Sequence, residues 1–287
     1  MPRRESPVVT RFAPSPNGPL HLGHAWAAIV AHDRARKSGG TFLLRIEDID
    51  GARSRPDLAA QFRADLAWLG LSWREVTLQS QRIDRYAQAA DALRAAGLLY
   101  PCRCTRAQIA ATATVQGPDG PLYPGTCRRD PVPPGPDVAW RLDMARAMAQ
   151  AGPLTWEDER RGVQRARPEM FGDVVLWRKD APASYHLAAT VDDAADGVNV
   201  VTRGIDLFRA THVHRLLQAL LGLPVPRWHH HSVLVGPDGR KLAKRRDARG
   251  LVERRLAGEN GQDIADAFRA GLFDTGLCPS DAIDLSP

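Results

Sequence analysis

Residues 8–50, VVTRFAPSPNGPLHLGHAWAAIVAHDRARKSGGTFLLRIEDID, indicate the fold class of this chain. Residues 8–12 predict a strand, and the Pro- and Gly-rich residues 13–20 predict a loop. A helix is expected from about Leu22 to Lys37, and a second strand from Thr41 to Ile46. A strand, a helix and a strand in this order form a βαβ unit, which implies parallel pairing and a right-handed crossover.

The rest of the chain predicts further α/β structure around an insertion. Apolar residues at helical spacing predict helices from Pro56 to Gly70 and from Ile83 to Gly97. Further strands and one helix are expected later, the strands at Val174–Trp177, Ser184–Val191 and Val198–Thr202 and the helix at about Phe208–Leu221. We predict a Rossmann-like, parallel-sheet nucleotide-binding catalytic domain split by an insertion. Its expected parts are a first half at 1–97, an inserted subdomain at 98–170, a second half at 171–250 and a short helical remnant at 251–287.

The composition is that of an ordinary globular protein. The 287 residues are 44% hydrophobic and 25% charged, and 39 Lys and Arg against 33 Asp and Glu give a net charge of +6. This basic excess is compatible with a polyanionic partner such as RNA. No signal peptide or apolar run of membrane-spanning length is visible, and four cysteines fit a reducing compartment. We therefore expect a cytoplasmic protein with no membrane partner.

His21-Leu22-Gly23-His24 opens the first predicted helix, at the carboxyl end of the first strand. Open α/β sheets bind ligands at that edge, and a helix N-terminus offers N–H groups and a positive dipole to an anion. His21 and His24, three residues apart, can donate hydrogen bonds to phosphate oxygens, and Gly23 allows close approach of a purine or ribose. The alternative is a helix start with two incidental histidines, or half of a metal site.

Residues 229–246 carry two runs of cationic or histidine side chains. Lys241-Leu-Ala-Lys244-Arg follows a predicted strand at Val233–Val235 and a Pro-Asp-Gly turn, where a loop can close over a diphosphate. The alternative is a solvated basic surface run, which is the commoner fate of such stretches. His229-His230-His231 is assigned no metal, because adjacent side chains of a strand face opposite sides.

Three of the four cysteines are clustered. Cys102, Cys104 and Cys127 offer three corners of a tetrahedral zinc site, and Tyr123 offers a phenolic oxygen as the fourth ligand. Such a zinc ion would be structural, one per chain, because the loop-rich insertion has little apolar content to hold it. The alternative is three thiols without a metal. Cys278 is remote and is expected to be a free thiol.

Taken together, the motifs resemble those of the class I aminoacyl-tRNA synthetases, in the glutamyl and glutaminyl branch. Residues 11–24, RFAPSPNGPLHLGH, match that branch almost throughout, as do residues 44–50, LRIEDID. Residues 241–245, KLAKR, stand at the place of the branch's Lys-Met-Ser-Lys-Ser loop and keep both lysines. Leu242, Ala243 and Arg245 depart from that loop, so its serine hydroxyls are lost while the charges that neutralise the leaving pyrophosphate persist. The resemblance covers roughly residues 8–250, with the motifs in the family's order.

The resemblance implies a role for particular residues of this chain. The implied catalytic residues are His21, His24, Lys241 and Lys244, and those that bind ATP are His21, Gly23, His24 and Lys244. Glutamate would be bound by Arg11, Phe12, Ala13, Pro14, Ser15, Glu47, Tyr185 and Arg203. In this set Arg11 pairs with the side-chain carboxylate and Glu47 receives the α-amino group, while two arginines favour glutamate over glutamine. The structural alternatives are a helix or turn cap for Glu47 and a core aromatic for Tyr185.

The chain stops about 40 residues after Arg245, where glutamyl-tRNA synthetases continue into an anticodon-reading domain. This pattern, together with the Cys and Tyr zinc ligands, resembles the glutamyl-Q tRNA(Asp) synthetases. The resemblance implies a monomer that activates L-glutamate with ATP and Mg²⁺ and transfers it to queuosine in tRNA-Asp. A compact glutamyl-tRNA synthetase that charges the tRNA 3′ end stays open, as do a non-catalytic RNA-binding paralogue and a nucleotidyltransferase with another acid substrate.

Overall fold

The first strand, helix and strand of the chain form the predicted βαβ unit. In a computed structural model, which describes residues 7–180, 182–242, 249–274 and 276–282, strand β1 spans Val9–Phe12, helix α1 Leu22–Lys37 and strand β2 Thr41–Leu44. Strands β1 and β2 pair in parallel, so the predicted parallel pairing is confirmed. Helix α1 contacts both strands through a face of small buried residues that allow close packing, among them Ala25, Ala28, Ala31 and Ala35.

The remaining helices and strands are interspersed along the chain. The helices are α2 Pro56–Trp68, α3 Ile83–Ala95, α4 Arg106–Thr112, α5 Thr126–Arg129, α6 Met144–Ala151, α7 Tyr185–Ala195, α8 Ala210–Leu221, α9 Leu251–Leu256 and α10 Gly261–Arg269. The strands are β3 Arg74–Glu75, β4 Leu99–Cys102, β5 Gln116–Gly117, β6 Gly120–Pro121, β7 Ala139–Leu142, β8 Thr155–Asp158, β9 Gly162–Arg165, β10 Val175–Trp177, β11 Val200–Gly204, β12 Arg227–His231, β13 Val233–Val235 and β14 Cys278–Ser280. Within the described ranges, every helix is too short or too polar to cross a bilayer.

The chain divides into two compact units, and the first holds the parallel strands. This unit comprises the described residues up to Ser80, Gly197–Leu207 and the described residues from Pro226 onward. Strands β1, β2 and β3 form one parallel sheet in that order, and β11 pairs in parallel with β12. Strand β1 contacts β11, and the Val9 amide donates to the Asn199 side chain at 2.8 Å. The predicted α/β architecture with a parallel sheet is therefore confirmed.

The second unit comprises Gln81–Asp196 and Phe208–Val225. Its strands β4, β7 and β10 form an antiparallel sheet, and helix α7 packs against α3 and α8. A buried ion pair helps to join α7 to the start of α3, because Arg82 donates to Asp192 at 2.9 Å and lies 2.8 Å from Asp196. The Tyr86 hydroxyl also donates to Asp192, at 2.7 Å. This unit therefore has its own polar and apolar interior.

The strand predicted at Ser184–Val191 is wrong, because this segment is the start of helix α7. Ser184 is the N-cap, and its hydroxyl accepts a hydrogen bond from the Leu187 amide at 3.4 Å. The helix is buried on nearly every side, from His186 to Asp193. A helix buried all round lacks the 3.6-residue alternation of apolar and polar side chains, so its short apolar run resembles that of a buried strand.

Candidate active site

Two buried arginines lie at the carboxyl ends of adjacent strands in the first unit. Arg11 is on β1, and its guanidinium donates to the Thr202 carbonyl of β11 at 2.9 Å. Arg203 is on β11, and its Nε donates to Nε2 of His230 on β12 at 3.1 Å. Both arginine side chains are largely withdrawn from solvent, with 5% of each residue exposed. The fold thus holds two guanidinium groups at the edge where a parallel sheet binds ligands.

The carboxylate of Glu47 lies just beyond the end of β2 in the same unit. Arg45, which is fully buried, donates to Glu47 Oε1 at 3.2 Å and holds the carboxylate in place. The backbone of the first loop also fixes this segment, because the Glu47 amide donates to the Pro14 carbonyl at 3.1 Å and the Arg45 amide to the Phe12 carbonyl at 3.0 Å. Sequence reasoning assigned no role to Arg45, although a charged residue inside an apolar strand run was a visible signal.

The rings of the two histidines of the first motif lie against each other at the start of α1, tilted by 41°. Their ring centroids are 3.9 Å apart, as expected from the spacing of three residues. His21 Nδ1 accepts from the Gly23 amide, and His24 Nδ1 accepts from the His21 amide, each at 3.1 Å. Because both Nδ1 atoms accept, each neutral ring carries its hydrogen on Nε2, the tautomer that can donate to a phosphate oxygen there.

Gly23 leaves room for the ring of His21, its close neighbour. A Cβ at this position would lie 2.9 Å from Cε1 of the His21 ring, closer than packed atoms come, and 4.0 Å from the Cβ of Leu242. The glycine therefore lets the His21 ring fold over the helix start. The same measurement shows that the first motif lies beside the second one, more than 200 residues away in the sequence.

The second motif is joined to the end of β13. Lys241 pairs through its backbone with Val235, and the Leu242 amide donates to the Leu234 carbonyl at 3.1 Å. The Lys241 ammonium forms an ion pair with Asp206, whose role the sequence did not reveal. Gly250, beyond this motif, pairs with His21. Lys244, with Ala243 and Arg245, lies outside the described residues, so its place in the site stays a prediction.

Tyr185, which the sequence also places in the glutamate pocket, belongs to the second unit. It is the first residue of α7 and is 37% exposed, so it is not a core aromatic. Its ring lies 5.3 Å from the ring of His214 and 5.8 Å from that of His186, measured between centroids. These contacts restrict the orientation of the phenol.

The three clustered cysteines and Tyr123 converge in the second unit. The sulfur atoms of Cys102, Cys104 and Cys127 all lie within 4.8 Å of one another, and Cys104 and Cys127 are 3.5 Å apart. The Tyr123 hydroxyl is 3.4 Å from the Cys102 sulfur and 3.7 Å from that of Cys104. Two thiolates on one tetrahedral zinc lie about 3.8 Å apart, since each Zn–S bond is about 2.3 Å long. The four donors therefore fit a zinc ion after small adjustments.

Polar neighbours favour the ionised form of Cys127, whereas burial raises the pKa of the Cys104 thiol and of the Tyr123 phenol in the absence of a metal. Burial opposes ionisation of Cys127, but hydrogen bonds from Tyr123, the Arg103 backbone and the other two thiols outweigh burial and lower its pKa to about 7. Arg141 adds a cation, because its Nε lies 3.3 Å from the Cys102 sulfur and its guanidinium lies 3.9 Å from the centre of the Tyr123 ring. Sequence reasoning missed Arg141, since nothing in the local pattern connects it to the cysteines.

Comparison with known proteins identifies the family of this chain. The model of the class I tRNA synthetase catalytic domain for E and Q matches residues 7–281. Among solved structures, a glutamate–tRNA ligase from Elizabethkingia meningosepticum, in complex with its amino acid, superposes with a TM-score of 0.66 at 26% identity. That superposition covers 84% of this chain and 52% of the ligase, so the chain spans about half the length of that enzyme.

Curated relatives are closer in sequence and in length. A protein of Rhodobacter capsulatus named Glutamyl-Q tRNA(Asp) synthetase is 49% identical over 272 residues, which cover 90% of this chain and 98% of the relative. A protein of the same name from Symbiobacterium thermophilum is 44% identical, over 92% of this chain and 87% of the relative. The chain therefore belongs to the class I tRNA synthetases of the E and Q group, alongside relatives named Glutamyl-Q tRNA(Asp) synthetase.

Proposed function

We propose that this protein activates L-glutamate with ATP and transfers the glutamyl group to queuosine in tRNA-Asp. The observation that carries the activation step is the group of Arg11, Arg203 and Glu47 near the carboxyl edge of the parallel strands, in the unit that also holds His21 and His24. Support for the acceptor comes from the relatives, whose name specifies tRNA(Asp). The substrates would be L-glutamate, ATP with Mg²⁺, and the queuosine-bearing tRNA.

The charges of Arg11, Arg203 and Glu47 suit the two ends of a glutamate molecule. A guanidinium binds a carboxylate through two parallel hydrogen bonds, so Arg11 and Arg203 would hold the side-chain carboxylate of glutamate. Glu47, kept in place by Arg45, would receive the α-ammonium group. Within the first unit, the loop residues Phe12, Ala13, Pro14 and Ser15 would complete the pocket. The role of Tyr185 in binding glutamate stays a prediction from the resemblance. The side chain of glutamine is neutral and would leave both arginines without an anionic partner, which disfavours glutamine as a substrate.

The phosphate contacts would come from the two distant motifs. The glutamate α-carboxylate attacks the α-phosphorus of ATP in line, the bond to the bridging oxygen breaks, and pyrophosphate leaves. Nε2–H groups of His21 and His24 would donate to the α-phosphate oxygens as charge grows on them. Lys241 and Lys244 would neutralise the leaving pyrophosphate, which requires Lys241 to exchange Asp206 for phosphate.

The second step transfers the glutamyl group. A hydroxyl of the queuosine cyclopentene ring attacks the carbonyl of the mixed anhydride, loses its proton, and releases AMP. Positioning and electrostatic stabilisation, rather than strong acid–base chemistry, would supply the rate enhancement.

Cys102, Cys104, Cys127 and Tyr123 would hold one structural zinc ion. When bound, zinc would cross-link a subdomain whose apolar cluster is small and consists mainly of these same residues. It would take no part in the reaction at the first unit. Arg141 would offset the negative charge of the thiolates.

The activation step is tested by glutamate-dependent exchange of pyrophosphate into ATP in the absence of RNA. We expect exchange with glutamate and none with glutamine, and we expect Lys244→Ala to lower it at least about 100-fold. Lys179→Ala, at an exposed lysine of the second unit, is the matched control and should leave the rate unchanged. Zinc-loaded protein without exchange activity would exclude glutamate activation.

The acceptor is tested separately. Labelled glutamate is offered with ATP and with tRNA-Asp containing queuosine, tRNA-Asp lacking it, or tRNA-Glu. We expect label only on the queuosine-containing tRNA-Asp. Label on the 3′ end of tRNA-Glu would instead identify a compact glutamyl-tRNA synthetase and would leave the activation step intact.

A further inference from the structure

The first unit contains a cavity away from the candidate active site. Its volume is about 320 Å³, and it lies between the last turns of α1, the start of β2 and the segment that enters β3. The lining residues are His32, Ala35, Arg36, Gly40, Thr41, Phe42, Ser72, Trp73 and Arg74. Arg11, Glu47 and Arg203 lie toward the carboxyl ends of their strands. The cavity therefore lies at the other edge of the parallel sheet.

The charge of this cavity is positive. It is lined by two exposed arginines, Arg36 and Arg74, and by no acidic residue. In the parts of the chain that the structure describes, neither guanidinium forms an ion pair. Glu75, the acidic residue that follows Arg74 in the sequence, forms its ion pair with Arg63. Two guanidinium groups at one small cavity favour a phosphate, whose oxygens accept several charged hydrogen bonds.

One wall of the cavity is fixed by a chain of polar contacts that begins at the buried His32 and ends at the partly exposed Arg269. His32 is only 7% exposed, and its Nδ1 lies 2.9 Å from Asp33 Oδ1. Asp33 in turn accepts from Arg269 of helix α10 at 2.8 Å. The ring of His32 meets Phe42 edge to face, with centroids 5.5 Å apart. This wall is therefore held in one arrangement before any ligand arrives, which lowers the entropic cost of binding.

Aromatic side chains supply the other part of the lining. Trp73 is half-buried, and its side chain is hydrogen-bonded to Glu75, which restricts the indole. Phe42 is buried beneath the same cavity. Indole rings stack on nucleobases without regard to sequence, whereas arginines bind phosphate. Pockets that bind small molecules usually have a volume of about 300 Å³ or more, so this cavity has room for one nucleotide.

We propose that this cavity is a second binding site for a nucleoside monophosphate group, with the base on Trp73 and the phosphate on Arg36 and Arg74. The group can come from a free nucleotide or from one residue of an RNA strand, since both present the same ring and phosphate. The site is independent of the proposed glutamate and ATP pocket, because it uses none of its residues.

Calorimetric titration with guanosine 5′-monophosphate tests the proposal, since that nucleotide lacks the adenine that the proposed ATP site would bind. We expect saturable binding with one equivalent per chain, and binding at least about tenfold weaker for inorganic phosphate and for guanosine alone. The double variant Arg36→Ala/Arg74→Ala and the single variant Trp73→Leu should each weaken binding about tenfold or more. Unchanged pyrophosphate exchange in these variants shows that they are folded.

Lys37→Ala is the matched control. Lys37 follows Arg36 in α1, is exposed and carries the same charge, but does not line the cavity, so its loss should change affinity less than about twofold. Absence of saturable binding to the wild-type protein would overturn the proposal, and so would equal losses of affinity in Lys37→Ala and in the double variant Arg36→Ala/Arg74→Ala. A short unstructured oligonucleotide distinguishes the sources. Cavity-dependent binding tighter than that of the mononucleotide points to RNA, and weaker binding points to a free nucleotide.

Discussion

The candidate active site collects side chains from residues 11 to 241, whereas the four donors of the cysteine cluster lie between residues 102 and 127. In the first unit, parallel strands hold Arg11, Arg203 and Glu47 through backbone and side-chain hydrogen bonds. In the second, the donors lie on the end of one strand, in loops and on a short helix, with few apolar neighbours. The candidate active site is built by pairing of segments that are distant in the sequence, whereas the cysteine cluster is built by segments that are close in the sequence.

This difference indicates which interactions stabilise each site. A sheet edge keeps its shape after a single side chain is changed, so substitutions there should alter substrate binding more than folding. A loop cluster with little core depends on its cross-link, so substitutions there should alter folding first. Four experiments test this contrast.

The largest effect is expected for Cys104→Ser, which removes one of the zinc donors. Zinc content should fall from about one per chain to near zero, and the second unit should lose several kcal/mol of stability, since structural zinc contributes about 10–16 kcal/mol in small zinc domains. Metal analysis and thermal unfolding measure both. Cys278→Ser, at an exposed thiol of β14, is the matched control and should change neither. Full stability without zinc would remove the contrast between the two sites.

The next effect is expected for Arg203→Lys. A lysine keeps the charge but not the planar fork that binds a carboxylate, so kcat/KM for glutamate in pyrophosphate exchange should fall about 100-fold. The thermal midpoint should move by only a few degrees. Arg227→Lys, at the opposite end of the neighbouring strand β12, serves as the control and should retain activity. A large loss of stability in Arg203→Lys would contradict the sheet-edge interpretation.

Acid should affect the two units in opposite directions. Burial, followed by the charges of Arg167 and Arg209, lowers the pKa of His212 in the second unit to about 4. As the pH falls, His212 of the unfolded chain becomes protonated near pH 6.5, whereas folded His212 stays neutral until about pH 4. The free energy of unfolding of this unit should therefore fall by roughly 2 kcal/mol between pH 6.5 and 4. Burial raises the pKa of Asp65 in the first unit to about 6, partly offset by Arg255. Asp65 therefore favours the folded state as the pH falls from 6 to 4.

Hydrogen exchange at pH 7 and pH 4.5 measures this separation. Amides of α8, which carries His212, should lose protection relative to those of α2, which carries Asp65. In His212→Gln, an amide can still accept the hydrogen bond that Trp156 donates to His212 at 3.2 Å, but it cannot take up a proton. The loss of protection in α8 should then disappear. A loss that persists in this variant would assign the acid response to another group.

The smallest effect is expected for His230, which contacts Arg203 and positions its guanidinium. His230→Leu should raise KM for glutamate about tenfold and leave KM for ATP unchanged, because one neutral hydrogen bond to a charged group is lost. His230→Gln, which can still accept, should recover most of the affinity. His229→Gln, at the preceding residue on the opposite face of β12, is the control. Equal changes for both substrates would indicate a general structural role.

Elements whose signals lie within one turn or one strand could be predicted. The βαβ unit, the strand before Lys241 and the clustering of three cysteines all follow from local patterns, and the structure confirms each of them. Helix α7 was mistaken for a strand because burial on all sides removes helical periodicity. Arg45, Asp206, His230 and Arg141 were missed as neighbours of the predicted sites, since each acts through a partner that only folding brings near.

The sequence motifs alone indicate the family, the α/β class and the chemical groups of the site, because motifs record which side chains a reaction needs. The roles of Arg11, Glu47, Tyr185, Arg203 and the lysines in substrate binding stay predictions. Three features are visible only in the tertiary structure. Gly23 lies beside Leu242, Arg203 donates a hydrogen bond to His230, and a basic cavity lies at the opposite edge of the sheet. Such contacts depend on strand pairing between distant segments, and no local pattern of side chains encodes their distances.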